Sequence, residues 1–131
     1  CREVEFVGTR GKVSGTLTIP PGQGTHPAIA FVHGSGPHTR GFFLGLARFY
    51  ARQGVASLIW DKPGCGDSEG IFREDIADYT GDALAAVAFL RGRTEVDPER
   101  IGLWGISQAG WVIAGAASRD LRWRTTGCWR S

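Results

Sequence analysis

The sequence contains no methionine and only three cysteines, Cys1, Cys65 and Cys128. A widely spaced, odd set of cysteines predicts neither a disulfide framework nor a CxxC metal site, and nothing indicates a metal or an organic cofactor. Because the chain starts with cysteine and lacks methionine, we interpret it as beginning inside a gene or after removal of a leader, with a processed lipoprotein left open. We expect a cytoplasmic protein, and a secreted or periplasmic one as the alternative.

The chain also has little net charge and no long apolar run. The formal charge of +2 is too small to indicate a nucleic-acid partner or strong attraction to a membrane surface. No apolar run approaches the ~20 residues that a membrane span needs. The length of 131 residues, 42% of them hydrophobic, predicts one globular domain. The 20 glycines are about twice the average usage, which indicates tight turns or close backbone approaches.

The apolar pattern alternates between strand and helix. Two N-terminal segments alternate apolar and polar residues, which predicts a half-buried antiparallel hairpin, and the later strands are continuously apolar and are expected to be covered on both faces. The order predicts an α/β fold, a mostly parallel sheet with an N-terminal antiparallel hairpin and flanking helices. Strands are predicted over 4–7, 12–19, 28–32, 55–60 and 101–104, and helices over 42–53, 75–91 and 108–118.

Finer features of these elements are also predicted. The first helix should end at Gly54 in a left-handed conformation, residues 96–100 should form a turn before a short strand, and the segment 108–118 is small and apolar enough to be a buried helix. Functional residues are expected at the carboxyl ends of the strands. The residues at helical spacing are Phe42, Leu46, Phe49 and Tyr50 in the first helix, and Ala83, Val87 and Leu90 in the second.

The strongest chemical signal is Gly105-Ile106-Ser107-Gln108-Ala109, between a strand and a helix of small residues. A serine nucleophile must be exposed to a base and to the substrate at once, and a sharp strand–turn–helix achieves this if the residues two positions to either side are small. Gly105 and Ala109 meet that need. The Gln108 amide would lie at a helix N-terminus, where negative charge is favoured. A glycine-rich turn that merely contains a serine is the alternative.

A second glycine-rich motif, His33-Gly34-Ser35-Gly36-Pro37, follows the first buried strand. Acyl transfer develops negative charge on the carbonyl oxygen, and fixed backbone N–H groups stabilise it. The Ser35 amide is the natural donor in such a loop, although the segment could also be a plain strand-to-helix connection. The motifs GxGxxG and GxxxxGK[ST] are both absent, which disfavours a nucleotide-binding domain.

These two motifs, in this order, resemble the α/β-hydrolase superfamily, and in particular its bacterial esterase, dienelactone-hydrolase-like and serine aminopeptidase-like branches. The resemblance covers residues 3–119 or so and implies that His33, Gly34, Gly36, Gly105 and Ala109 shape the site, so that His33 is not the catalytic base. It also implies that 61–70 is a shaping loop and that Asp61 is not the triad acid. The supporting segments are Gly15-Thr16-Leu17 with Ile19-Pro20, Trp60 to Gly70, and Asp97 to Gly102.

The chain departs from the family pattern after the nucleophile. Family members place the acid and then the histidine well after the serine, whereas the 24 residues after Ser107 contain Asp120 as their sole acid and no histidine. We therefore expect the N-terminal portion of a hydrolase, with a domain over 1–120 and an irregular, basic, tryptophan-rich tail over 121–131 that is out of frame or truncated. A genuine partner-binding tail is the alternative.

The sequence thus predicts a serine hydrolase acting on a small ester, thioester or amide through an acyl-enzyme. Ser107 is the nucleophile, and the N–H groups of Gln108 and Ser35 hold the oxyanion. Because the acid and the histidine are absent, a catalytically inactive remnant or binding module is the alternative. A sheet that lacks its second half would also expose an edge beside the nucleophile strand, which predicts self-association.

Overall fold

The computed structural model describes residues 2–34, 36, 39–72, 75–105 and 109–119. Within them lie five strands, three α-helices and one 3-10 helix. The predicted tail over 121–131 lies outside the described residues. The strands are β1 (Arg2–Gly8), β2 (Gly11–Thr18), β3 (His26–Phe31), β4 (Ala56–Trp60) and β5 (Val96–Trp104), and the helices are the 3-10 helix Arg40–Phe43, α1 (Leu44–Arg52), α2 (Ile76–Arg91) and α3 (Ala109–Arg119).

The strands form one mixed sheet in the order β1-β2-β4-β3-β5. The hairpin of β1 and β2 is antiparallel, as predicted, and β2 also pairs antiparallel with β4. The strands β4, β3 and β5 run parallel to one another. The α/β fold class is therefore confirmed, and the carboxyl ends of three parallel strands meet at one edge of the sheet.

The prediction that the hairpin is half-buried is wrong for β2. Every residue of β2 from Val13 to Thr18 is buried, whereas Phe6 alone is buried in β1. The reason is position: β2 lies between β1 and β4, while β1 is an edge strand. The polar residues of β2 are accommodated because they have partners, for example Thr16, whose hydroxyl donates to Glu3.

The helices cover the two faces of the sheet. Helices α2 and α3 pack with one face of the sheet around Leu17, Leu58, Val87 and Leu103. Helix α1 and the 3-10 helix cover the other face, where Phe43 stacks on Phe31 with ring centroids 5.3 Å apart. Asp75 caps α2 by accepting from the N–H groups of Ala77 and Asp78. The predicted face of α2 is correct, because Ala83, Val87 and Leu90 are all buried.

The predicted apolar face of the first helix is shifted by one residue. Phe42 and Phe49 are 63% and 50% exposed, whereas the buried residues are Phe43 and Ala47, with Leu46 and Tyr50 half-buried. The segment starts as a 3-10 helix, so an ideal helical period assigned the wrong phenylalanine to the core. Gly54 has φ 83°, which is the left-handed conformation predicted for it.

Two further predictions need correction. Residues 96–100 do not precede the strand but are part of β5, in which Val96 pairs with His26 and Ile101 with Ala28, so that the intervening residues bulge outward. Asp97 Oδ1 accepts from the Glu99 N–H at 3.0 Å. This hydrogen bond explains why the bulged segment has the sequence pattern of a turn. Helix α3 buries one face only, since Trp111 is 75% exposed.

None of the described helices is both long and apolar enough to cross a membrane. In the described part of the chain, no cluster of three or more His, Cys, Asp or Glu side chains is arranged to hold a metal ion.

Candidate active site

The close crossing of β5 and α3 forms one half of the candidate site. A Cβ atom built on Gly105 would lie 2.4 Å from Ala109 Cβ and 2.9 Å from the Val32 carbonyl oxygen. No real Cβ atom can occupy that space, so the backbone at this point requires glycine. Ala109 is itself fully buried. This is the tight strand-to-helix approach that a serine presented at a turn needs on both sides.

The glycine-rich loop after β3 starts beside that crossing. The Val32 N–H donates to the Trp104 carbonyl at 2.7 Å, which continues the pairing of β3 and β5 past the end of β3. Residues 32–34 therefore lie between the end of β5 on one side and the end of β4 on the other. The two motifs singled out from the sequence are adjacent in space through their described residues.

His33 is buried among aromatic side chains at this edge. It is 2% exposed, and its ring lies 5.0 Å from the Phe43 ring and 6.3 Å from the Trp60 ring, centroid to centroid. Nε2 lies 2.5 Å from the Trp60 carbonyl oxygen. A carbonyl accepts only, so Nε2 carries a proton and donates it. This hydrogen bond links the end of β3 to the end of β4.

The residues assigned direct chemical roles, Ser107, Gln108 and Ser35, lie outside the described residues. Of the predicted shaping residues, the structure describes His33, Gly34, Gly36, Gly105 and Ala109. It brings this described set together at the carboxyl ends of β3 and β5. His26 lies at the opposite end of β3, and His38 is outside the described residues.

Asp61 joins the end of β4 to the start of the 3-10 helix. It is 2% exposed, and its carboxylate accepts from the backbone N–H groups of Arg40 at 2.7 Å and Asp67 at 2.9 Å. The Arg40 guanidinium lies 3.4 Å from the same carboxylate and donates to Asp67 and Glu3. The close approach of Gly66, whose added Cβ would meet Asp61 Oδ2 at 2.3 Å, completes the loop. A structural position of this kind accords with the expectation that Asp61 shapes the site.

Lys62 is the next residue, and it is buried, with 2% exposure. Its ammonium donates to the carbonyl oxygens of Gly34 at 2.7 Å and Gly36 at 2.9 Å. The ammonium also lies 4.4 Å from the centroid of the Tyr79 ring, within the range of a cation–π interaction. These contacts compensate a cation that would otherwise be costly to remove from water.

Asp82 on α2 contributes a second buried charge nearby. Its Oδ1 accepts from the N–H and the hydroxyl of Thr9 at 2.9 and 3.1 Å, while Oδ2 has no hydrogen-bond partner among the described residues. Burial raises the pKa of Asp82 above its usual value, and the hydrogen bonds from Thr9 offset part of that rise. A cavity of about 10 Å³, which His33, Lys62, Tyr79 and Asp82 help to line, is at the lower limit of what one water needs.

The sequence did not predict Lys62, Tyr79 and Asp82 as neighbours of the candidate site. A usable signal existed for Lys62, because a charged residue directly after a fully apolar strand and before a glycine turn has little access to water. No signal existed for Tyr79 and Asp82, because helical spacing shows which residues share a face but not which loop that face meets.

Comparison with known proteins agrees with this geometry. Residues 8–124 match the family described as X-Pro dipeptidyl-peptidase (S15 family). The chain is 35% identical over 125 residues to the thiohydrolase aneE of Aspergillus aculeatus, an alignment covering 93% of this chain and 39% of the relative. It is 33% identical to the quorum-quenching protein AidA of Acinetobacter baumannii, covering 92% of this chain and 40% of that protein.

A solved structure gives the same result. The α/β hydrolase GrgF from Penicillium sp. sh18 superposes with a TM-score of 0.82 at 26% identity, covering 92% of this chain and 42% of GrgF. The chain thus spans about two fifths of the length of these relatives. The match to the family model extends over most of the sequence, and the predicted resemblance is confirmed. The chain belongs to the X-Pro dipeptidyl-peptidase (S15) family of α/β-hydrolases.

Proposed function

We propose that the protein is a serine hydrolase that cleaves a small ester, thioester or amide through an acyl-enzyme on Ser107. The observation that carries the proposal is the crossing at Gly105 and Ala109, where a Cβ on Gly105 would meet Ala109 Cβ at 2.4 Å. Such a crossing is the local requirement for a serine exposed at a strand–turn–helix. The adjacent glycine-rich loop supplies the second element that acyl transfer needs.

In the proposed reaction the Ser107 oxygen attacks the substrate carbonyl carbon, and its proton passes to a general base. The N–H groups of Gln108 and Ser35 donate to the oxyanion, which matters because one such donor typically contributes ~10²–10³ in rate. The leaving alcohol, thiol or amine takes the proton, and water then hydrolyses the acyl-enzyme. The name of one relative, a thiohydrolase, supports a hydrolytic reaction, with a thioester among the proposed substrates.

The described histidines do not supply the base. His33 Nε2 donates to Trp60, and His26 lies at the amino end of β3, on the order of 16 Å of strand away from its carboxyl end. We therefore expect turnover by these 131 residues to be slow, because none of the described histidines can take the proton from Ser107.

The test is hydrolysis of p-nitrophenyl acetate by the wild type and by two alanine variants. Ser107→Ala should abolish turnover above the buffer rate, while Ser118→Ala, a serine near the other end of α3, should retain it. Binding of an acyl ligand with no turnover in the wild type would favour the alternative of a non-catalytic binding module. Turnover unchanged in Ser107→Ala would contradict the proposed nucleophile.

A further inference from the structure

The buried ammonium of Lys62 has no part in the chemistry proposed above, yet it contacts the loop that does. It is one of two lysines in the sequence, and the other, Lys12, has an exposed side chain. A cation that is 2% exposed has lost most of its contact with water, and only well-placed partners offset that loss. Its described partners are two carbonyl oxygens of the glycine-rich loop and the face of Tyr79.

Both carbonyls belong to glycines, the residue type with the greatest backbone freedom. Gly34 and Gly36 lose more conformational entropy when the loop becomes ordered than residues of any other type would. Neither glycine belongs to a strand or a helix. The ammonium of Lys62 spans both carbonyls at 2.7 and 2.9 Å and ties them to the end of β4.

Because of the geometry of the peptide bond, a contact that fixes a carbonyl oxygen also fixes the direction of the N–H group that follows it. The peptide bond is planar and almost always trans, so a carbonyl and the N–H that follows it point in opposite directions. Holding the Gly34 oxygen on Lys62 therefore restrains the peptide group that follows Gly34. The N–H of that group is the donor assigned above to the oxyanion.

We propose that Lys62 is a positioning residue, whose ammonium fixes the glycine-rich loop through the carbonyls of Gly34 and Gly36 and so aims the Ser35 N–H. The inference rests on the proposed function for its catalytic consequence, but the anchoring itself does not. The neighbouring anchors act on the ends of the loop: His33 donates to Trp60 at one end, and Asp61 accepts from the Arg40 N–H at the other. Lys62 anchors the middle of the loop, at Gly34 and Gly36.

The anchoring is tested by amide hydrogen exchange in Lys62→Met, with Lys12→Met as the matched control. Exchange at Gly34 and Gly36 should accelerate at least ~10-fold in Lys62→Met, as expected when a local restraint is lost, while amides in the centre of β4 keep their protection. Lys12→Met should change neither. Unchanged exchange of the loop in a folded Lys62→Met protein would overturn the inference.

A wild-type measurement guards against a variant that does not fold. In an NMR spectrum of the lysine side-chain ammonium groups, Lys62 should give a slowly exchanging signal with hydrogen-bond couplings to the carbonyl carbons of Gly34 and Gly36. Lys12→Met leaves that signal in place and so assigns it. An ammonium that exchanges as fast as that of Lys12, or that lacks these couplings, would also overturn the inference.

The catalytic consequence is tested by the steady-state constants. Lys62→Met should lower kcat for p-nitrophenyl acetate by ~10²-fold, the effect of misplacing a group by about 1 Å, and leave KM within about threefold, because an oxyanion donor acts in the transition state. Equal kcat in a variant whose loop exchanges faster would refute the aiming role. If the wild type shows no turnover dependent on Ser107, the proposed function fails, and the exchange and NMR results still decide the anchoring.

Discussion

Lys62 and Asp82 are two buried charges that are compensated to different extents. Lys62 has two carbonyl partners and an aromatic face, whereas one oxygen of Asp82 has no partner among the described residues. A buried polar atom without a partner costs about 1–3 kcal/mol. The other oxygen of Asp82 accepts two hydrogen bonds from Thr9 and so fastens the turn of the N-terminal hairpin to α2.

The Asp82 carboxyl should give the stability a recognisable pH dependence. Burial raises its pKa in the folded protein above the usual 3.8, so as the pH rises above that value the unfolded chain releases its proton first. The unfolding free energy then falls with rising pH until the folded pKa is passed. Asp82→Asn removes this loss, so its stability relative to the wild type should improve as the pH rises from 3.5 to 7 or so, measured by urea denaturation.

Asp97 provides a control of opposite sign. Hydrogen bonds from the Glu99 N–H and from Arg100 lower the pKa of Asp97, so its contribution is present above the usual 3.8 and is lost as the pH falls through the folded pKa. Asp97→Asn should therefore lose stability relative to the wild type as the pH rises. Parallel trends in the two variants would contradict the assigned surroundings of Asp82.

The elements of the fold differ in how far the sequence predicted them. The positions of β4 and α2 were predicted to within one residue at each end. A continuous apolar run indicates a buried strand, and a capped segment with helical periodicity indicates a helix. The burial of β2 was not predicted, since alternation shows which residues share a face but not that a second element covers the other face. The core face predicted for the first helical segment was wrong because a 3-10 helix precedes α1 there.

The site was predictable where the chemistry demands particular residue types along the chain, as at Gly105 and Ala109. It was not predictable where residues distant in sequence meet. Lys62 contacts Gly34 across 28 positions, and Asp82 contacts Thr9 across 73. Such contacts depend on strand order, and the sequence pattern does not show that β4 lies between β2 and β3.

The close crossing of β5 and α3 predicts that a larger residue at position 105 destabilises the fold. In Gly105→Ala the new methyl group would meet Ala109 Cβ and the Val32 carbonyl oxygen, and the backbone oxygen cannot rotate away. We expect the unfolding free energy to fall by about 1–3 kcal/mol, the usual cost of overpacking. Urea denaturation monitored by tryptophan fluorescence measures it.

Gly45→Ala is the matched control. Gly45 lies in α1, and a Cβ added there would meet nothing within 4 Å, so alanine should raise the unfolding free energy by about 0.5–1 kcal/mol through its higher helix propensity. If the two glycine variants shifted the urea midpoint alike, the close crossing would be refuted.

The whole molecule presents the outer edge of β5 without a strand partner among the described residues. Unpaired N–H and carbonyl groups along such an edge are a template for pairing with another chain. The side chain of Trp111 on helix α3, which follows β5 in the chain, is exposed and adds apolar surface. We propose that the chain self-associates through this edge.

Sedimentation velocity tests that proposal. The sedimentation coefficient of the 131-residue chain should rise with protein concentration, and Trp111→Lys, which replaces exposed apolar surface by a charge, should weaken the association. A single boundary at the monomer position over a hundredfold range of concentration would contradict it.

The proposed nucleophile is tested most directly by covalent labelling with a fluorophosphonate ester, read by mass spectrometry of the intact chain and its peptides. We expect one slowly formed adduct on the peptide that contains Ser107, absent in Ser107→Ala and retained in Ser118→Ala. An adduct on another residue, or no adduct in a folded wild-type protein after prolonged exposure, would contradict the claim that this crossing of strand and helix presents a nucleophile.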